Sequence, residues 1–405
     1  TLTYTRGHLR LMGEEPADAA RDFAQVVEQD QLVELSVAAR YGLAEAQRSL
    51  RRFDQAGELY AGFAAAWPDS RRGQRSMLLA GDCALFAGRP EDAVGTYRTL
   101  LDRYPDSIYR DDALYRLGTA LERAGKVEAA RQPLWTLVDG REDSGYRGRA
   151  LARLARIEQA AGQDSLAVVV LSRLVESDPE RAAEEDAWLK LAQLELDLDH
   201  PDEALDWSRA QPEGVGDPAM ATALEVQALA ALGRTNEASE RLEALSLGNP
   251  DRPELVSSSR VHVAEAFAAA GNDGRASSEF ERARSEATER ETIARAAFGE
   301  GMVAVRAQRW ADARTAFEMS RDVSPGSHWA AESHFKLGQI YLRDGDSAAA
   351  RSAFLSVADN FSSHERAPAS LRALAQAWRN EGRYDQAVEA YHLSLIHISE
   401  PTRHV

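Results

Sequence analysis

An alanine recurs along this chain at Ala19, Ala56, Ala93, Ala130, Ala167, Ala204, Ala238, Ala276, Ala313, Ala350 and Ala387, in steps of 37 residues broken only by one of 34 and one of 38. Four residues after each stands Phe23, Tyr60, Tyr97, Leu134, Leu171, Ser208, Leu242, Phe280, Phe317, Phe354 or Tyr391, large in every unit but the one with Ser208. Twelve residues before each stands Gly7, Ala44, Gly81, Gly118, Ala155, Ala192, Val226, Ala264, Gly301, Gly338 or Ala375, of which only Val226 is larger than alanine. Twelve after, proline occurs at Pro68, Pro105, Pro179, Pro250 and Pro325. A metre of this length belongs to a stack of equivalent units, each covering the apolar face of the one before it.

The offsets describe two antiparallel helices per unit. A small residue on the first helix admits the second closely, and the ladder alanine on the second returns the contact. The large residue four positions on lies one turn further along the same face and fills the space toward the next unit. Proline then stops the second helix. Arg89-Pro90-Glu91-Asp92 and His200-Pro201-Asp202-Glu203 place proline and acids where second helices begin. The 34-residue step spans Gln211–Pro218, with two prolines and two glycines in eight residues. It predicts a shortened second helix and either a tight loop or a bend between sub-arrays 1–210 and 219–392.

Trp188, Leu191, Ala192 and Ala204 in one unit, and Leu337, Gly338, Tyr341, Ala350 and Phe354 in another, follow the order of the tetratricopeptide consensus. The chain resembles that family over nearly its whole length, which implies an all-α, right-handed α-solenoid of about eleven helix pairs. The "YPDS…DALYRLG" style of residues 104–118 resembles bacterial envelope members, outer-membrane assembly lipoproteins and the Tol-Pal coordinator among them. That likeness favours a periplasmic or envelope location. Residues 393–405 resemble a translated sequencing adapter, so this tail is expected to be non-native and the last repeat truncated.

Net charge is −17, a poor electrostatic match for nucleic acid or an anionic membrane surface. The basic residues are nearly all arginine, in keeping with a GC-rich bacterial gene. Cys83 is the only cysteine, which rules out an internal disulfide and a multi-thiolate zinc site. No apolar run is long enough to span a bilayer. None of the nine histidines forms H-E-x-x-H, and His328 and His334, six apart, fit one helical face poorly. Asp197, Asp199 and Asp202 read as a turn and helix start, because Pro201 occupies the place of a calcium-loop residue. No catalytic residue, cofactor or metal ligand is expected.

In the tetratricopeptide arrangement first helices line the concave face, and the residue after each small one points inward. Those residues are His8, Glu45, Asp82, Thr119, Arg156, Gln193, Gln227, Glu265, Met302, Gln339 and Gln376, with Tyr41, Arg75, Phe86, Tyr115, Phe298, Phe335 and Arg379 as further inward candidates. Polar and variable, they read equally as a peptide groove or a solvated face; aromatics and arginines are the usual anchors of a groove. The expectation is a non-catalytic scaffold binding a protein or peptide; a separate reading is a structural spacer in an envelope complex, self-associating through uncapped ends. The alternative is the arm of a larger envelope enzyme, of lytic-transglycosylase type. The inward positions lack the Asn and Lys of the family's carboxylate clamp, which argues against chaperone C-termini as ligands.

Overall fold

The computed structural model describes residues 2–29 and 33–399, and among these there are 23 helices and no strand. The chain divides into two units, Thr1–Ala187 and Trp188–Val405. In the first, α1 (Leu2–Met12) pairs with α2 (Pro16–Gln29), α3 (Val33–Ser49) with α4 (Phe53–Ala66), α5 (Arg71–Phe86) with α6 (Pro90–Arg103), α7 (Arg110–Arg123) with α8 (Val127–Val138), and α9 (Arg147–Ala160) with α10 (Asp164–Ser177). A short α11 (Pro179–Glu184) follows. In the second unit come, in the same alternation, α12 (Ala187–Asp197), α13 (Pro201–Ala210), α14 (Pro218–Ala231), α15 (Thr235–Gly248), α16 (Pro253–Ala269), α17 (Asp273–Glu286), α18 (Arg290–Arg306), α19 (Trp310–Val323), α20 (His328–Arg343), α21 (Ser347–Asn360), α22 (Ala367–Asn380) and α23 (Tyr384–Ser399). Second helices pack on the first helices beside them, as α4 on α3 and α5 and α17 on α16 and α18, and first helices also lean on one another, α5 on α7 and α16 on α18.

The alanine ladder falls at one place in every pair. From Ala19 to Ala350 each ladder residue is fully buried, and Ala387 nearly so. The large residue four on lies over the small residue of the first helix. A methyl group added at Gly81 would stand 2.5 Å from the Tyr97 ring, at Gly301 2.6 Å from Phe317, and at Gly338 2.5 Å from Phe354. The small residue is therefore the seat of the ring, and its size sets how closely the two helices approach.

Seven residues beyond each small residue the first helix closes with a left-handed residue. Seven are glycines, and the other four are Glu14, Arg51, Asp199 and Gln308. The next backbone N–H bonds back five residues, as Arg309 N–H to the Ala304 carbonyl at 2.9 Å, satisfying a carbonyl the helix leaves open. Gln308, at φ 57°, bears a side chain where glycine carries no steric cost. Gln308→Gly is expected to raise stability by about 1 kcal/mol, read by urea denaturation; a loss would show that its side chain makes a compensating contact.

One reading of the sequence changes. Pro179 ends α10 but also opens α11, capped by the Asp178 carboxylate accepting the Arg181 N–H at 3.0 Å. Cys83 is fully buried, and burial pushes its thiol up to about 11, which leaves it unreactive at neutral pH. The step of 34 does shorten its second helix: α13 has 10 residues, where most second helices have 14. Gln211–Asp217 is the loop between α13 and α14, which pack on each other. Of the tail 393–405, residues 400–405 lie outside the described residues.

Candidate functional site

Each unit holds a cleft between successive first helices. In the first unit it is lined by Asp82 and Phe86 of α5, Tyr115, Thr119 and Arg123 of α7, and Tyr146 just ahead of α9, and measures about 260 Å³. In the second it is lined by Glu265 of α16, Phe298, Met302 and Arg306 of α18, and Trp329 of α20, and measures about 200 Å³. Counted from the small residue of each helix, the two clefts use the same repeat positions: Asp82 matches Glu265, Tyr115 Phe298, Thr119 Met302, Arg123 Arg306 and Tyr146 Trp329. One aromatic pair walls each, Tyr115 on Tyr146 with ring centres 5.5 Å apart and Phe298 on Trp329 at 5.3 Å.

Charged groups flank these walls. Arg153 lies over Tyr115 with its guanidinium 5.3 Å from the ring centre, and Arg295 lies over Trp329 at 5.8 Å. Arg295 is held by a two-pronged bond to Glu265, Nε to Oε1 at 2.9 Å and Nη2 to Oε2 at 2.7 Å. Such pairs fix the guanidinium plane against the ring, where it adds a cation–π contact. In the first unit Arg116 bridges Asp112, with Nε 2.5 Å from Oδ1, and Asp82. Asp82 also accepts the Tyr97 hydroxyl at 2.7 Å. Burial pushes the Asp82 carboxyl above its usual range against the pull of Arg116. Arg116 is raised although burial opposes it, because its bonds to Asp112 and Asp82 hold the charge.

Of the residues expected on this face, the structure brings together Asp82, Phe86, Tyr115 and Thr119 in one cleft and Glu265, Phe298 and Met302 in the other. Gln227 is half-buried, while Arg156, Gln193, Gln339, Gln376 and Arg379 are exposed; none of the six lines either cleft. Asp82 departs from expectation, since it is buried rather than presented to solvent. Phe335 is also buried, 5.9 Å from Phe354, and packs within the core. Tyr146 and Trp329 escaped the sequence reading because it counted from the middle of each first helix, and these rings stand at its start. The signal was there, an aromatic nine residues before Ala155 and Gly338.

A wider groove of about 610 Å³ opens between α4 and α6, lined largely by Ala61, Ala64, Ala65, Gly95 and Thr99. It has no converging aromatic or paired charge, so it offers little to orient a ligand.

The tetratricopeptide repeat model matches residues 4–71, 78–145 and 330–396, about half of the chain. The chain belongs to the tetratricopeptide repeat family. No curated protein matches it in sequence. Among solved structures, a tetratricopeptide repeat protein from Parabacteroides merdae is 16% identical, with a TM-score of 0.39, over 60% of this chain and 91% of its own. The Cut9-Hcn1 hetero-tetramer of APC/C is 14% identical, with a TM-score of 0.37, over 97% of this chain and 80% of its own. MamA is 14% identical, with a TM-score of 0.36, over 44% of this chain and 95% of its own. In this tetratricopeptide chain no described helix is long and apolar enough to cross a membrane.

Beside the second cleft, His262 on α16 sets its Nδ1 3.1 Å from the Ser258 carbonyl. Burial, reinforced by the charge of Arg295, pushes its pKa down to about 3. The folded repeat thus binds this proton far less readily than the unfolded chain does. Its share of stability is complete above the ordinary histidine pKa and is lost as pH falls below it. At pH 5 the loss is about 2 kcal/mol. The variant His262→Gln should flatten stability between pH 7 and 5; an unchanged pH profile would show that this ring titrates normally.

Among the described residues one group has the composition and spacing of a metal site: His328 and Glu332 of α20 with His364 of the loop before α22. The sequence had set His328 against His334, and the fold sets it against His364 instead.

Proposed function

We propose that this protein is a non-catalytic scaffold that binds extended polypeptide on its first-helix faces, each unit seating side chains in its own cleft. The observation that carries this reading is the recurrence, in both units, of one aromatic pair with an arginine, Arg123 or Arg306, and an acid, Asp82 or Glu265, at identical repeat positions. Such a wall suits an apolar or aromatic side chain, and the arginines and acids around it suit backbone and polar groups at the rim. The envelope location rests on the style of residues 104–118, and cell fractionation of the source organism tests it.

Selection of a displayed random-peptide library on the full chain should enrich binders. Tyr115→Ala combined with Trp329→Ala should weaken them at least about tenfold while leaving helical circular dichroism unchanged. Binders indifferent to both substitutions, or no enrichment at all, would count against the proposal.

A further inference from the structure

We propose that His328, Glu332 and His364 bind a divalent transition-metal ion of the zinc class, tying the first helix of the tenth repeat to the turn that leads into the eleventh. One ligand atom from each residue lies within 4.8 Å of the other two. His328 and Glu332 are four apart on α20 and so share a face one turn apart. His364, from the loop between α21 and α22, brings its Nε2 to 2.9 Å from His328 Nδ1. Glu332 is buried at 5% exposure, and its Oε1 accepts the Arg366 Nε–H at 2.6 Å. That bond orients the carboxylate from behind, as outer partners of metal ligands do.

The geometry is close to what an ion needs. Two imidazole nitrogens about 2.05 Å from a tetrahedral zinc stand about 3.3 Å apart, so the rings must part by about 0.4 Å. Two imidazoles and one carboxylate make a donor set for Zn²⁺, Co²⁺ or Ni²⁺ rather than for Ca²⁺ or Mg²⁺. His328 is exposed, which leaves room for water as a fourth ligand. The protons balance. In the ion-free pair the His364 Nε2–H donates to His328 Nδ1, while His364 Nδ1 accepts the Arg366 backbone N–H at 3.1 Å. Coordination through Nε2 moves that proton to Nδ1, which then cannot accept the Arg366 N–H, so that bond is given up and the turn shifts by a few tenths of an ångström; no net proton is released.

The test is titration of the untagged, chelator-treated full chain with Zn²⁺ by calorimetry, and with Co²⁺ by visible absorption. Saturable binding of one ion is expected, with the bands of four-coordinate cobalt and a rise in Tm. His328→Ala and His364→Ala should each weaken binding at least about tenfold, and Glu332→Gln should do so as well. His334→Ala should leave binding unchanged. Circular dichroism confirms that each variant is folded, and the two histidine variants decide the matter because neither removes a core side chain. No saturable binding, or binding that survives loss of both His328 and His364, would overturn the assignment.

Discussion

Replacing Phe317 by alanine is expected to cost about 3–5 kcal/mol, whereas the same change at Tyr391, its equivalent in the last repeat, should cost about 1–2 kcal/mol. Phe317 is fully buried, seated over Gly301 on one side and 5.3 Å from the Phe298 ring on another. Tyr391 occupies the same repeat position but stays 36% exposed. Burial of a phenyl ring removes far more apolar surface from water than a half-covered one, and its deletion leaves a cavity that neighbouring helices fill only in part. Stability in a stacked array is a sum of units and interfaces, so hydrogen exchange resolved along the chain is the proper reading. Phe317→Ala should speed exchange in α18, α19 and α20, and Tyr391→Ala only near α23. Equal losses at the two positions would mean that the ring position does not depend on the next helix pair.

The second large effect concerns a buried charge. Glu158 on α9 has no exposure, and Arg131 on α8 meets it with Nε 2.9 Å from Oε1 and Nη2 2.8 Å from Oε2. Arg131→Met leaves that carboxylate inside without a cation and should cost about 3–5 kcal/mol. Adding Glu158→Met should recover most of the loss, because a thioether side chain needs no partner in an apolar setting. Urea denaturation of the two single variants and the double variant gives the coupling directly. If the double variant is as unstable as Arg131→Met alone, the carboxylate is not the source of the penalty.

The ladder was legible because the constraint behind it is steric and recurs in every unit, relaxed only at Val226, whose unit carries Leu242 in place of a ring, and at Ser208. Only a residue the size of alanine or glycine fits where two helix axes approach under a ring, so Ala56 or Gly81 announces its surroundings from sequence alone. The inward face was harder. Thr119 and Met302, one residue after Gly118 and Gly301, line the two clefts, yet Asp82, one residue after Gly81, is drawn inward by Tyr97 and Arg116. A polar residue at a lining position goes where its hydrogen bonds are, and the partners of Asp82 come from α6 and α7, which spacing within α5 cannot reveal. Glu158 was missed for the same reason: it stands three residues after Ala155, where other repeats carry Leu121, Phe267 or Tyr341. The meeting of His328 with His364 depends on a loop path, and a count of residues along one helix had no access to it.

The clefts between first helices as the ligand-binding surface are tested most directly by photo-crosslinking. A photoreactive amino acid is placed at Thr119 and Met302, inside the clefts, and at Arg98 and Arg314, exposed on second helices. Each variant is irradiated with a peptide chosen on the full chain. Crosslinks at Thr119 and Met302 alone are predicted. Crosslinks at Arg98 and Arg314 with none at the cleft positions would contradict the account.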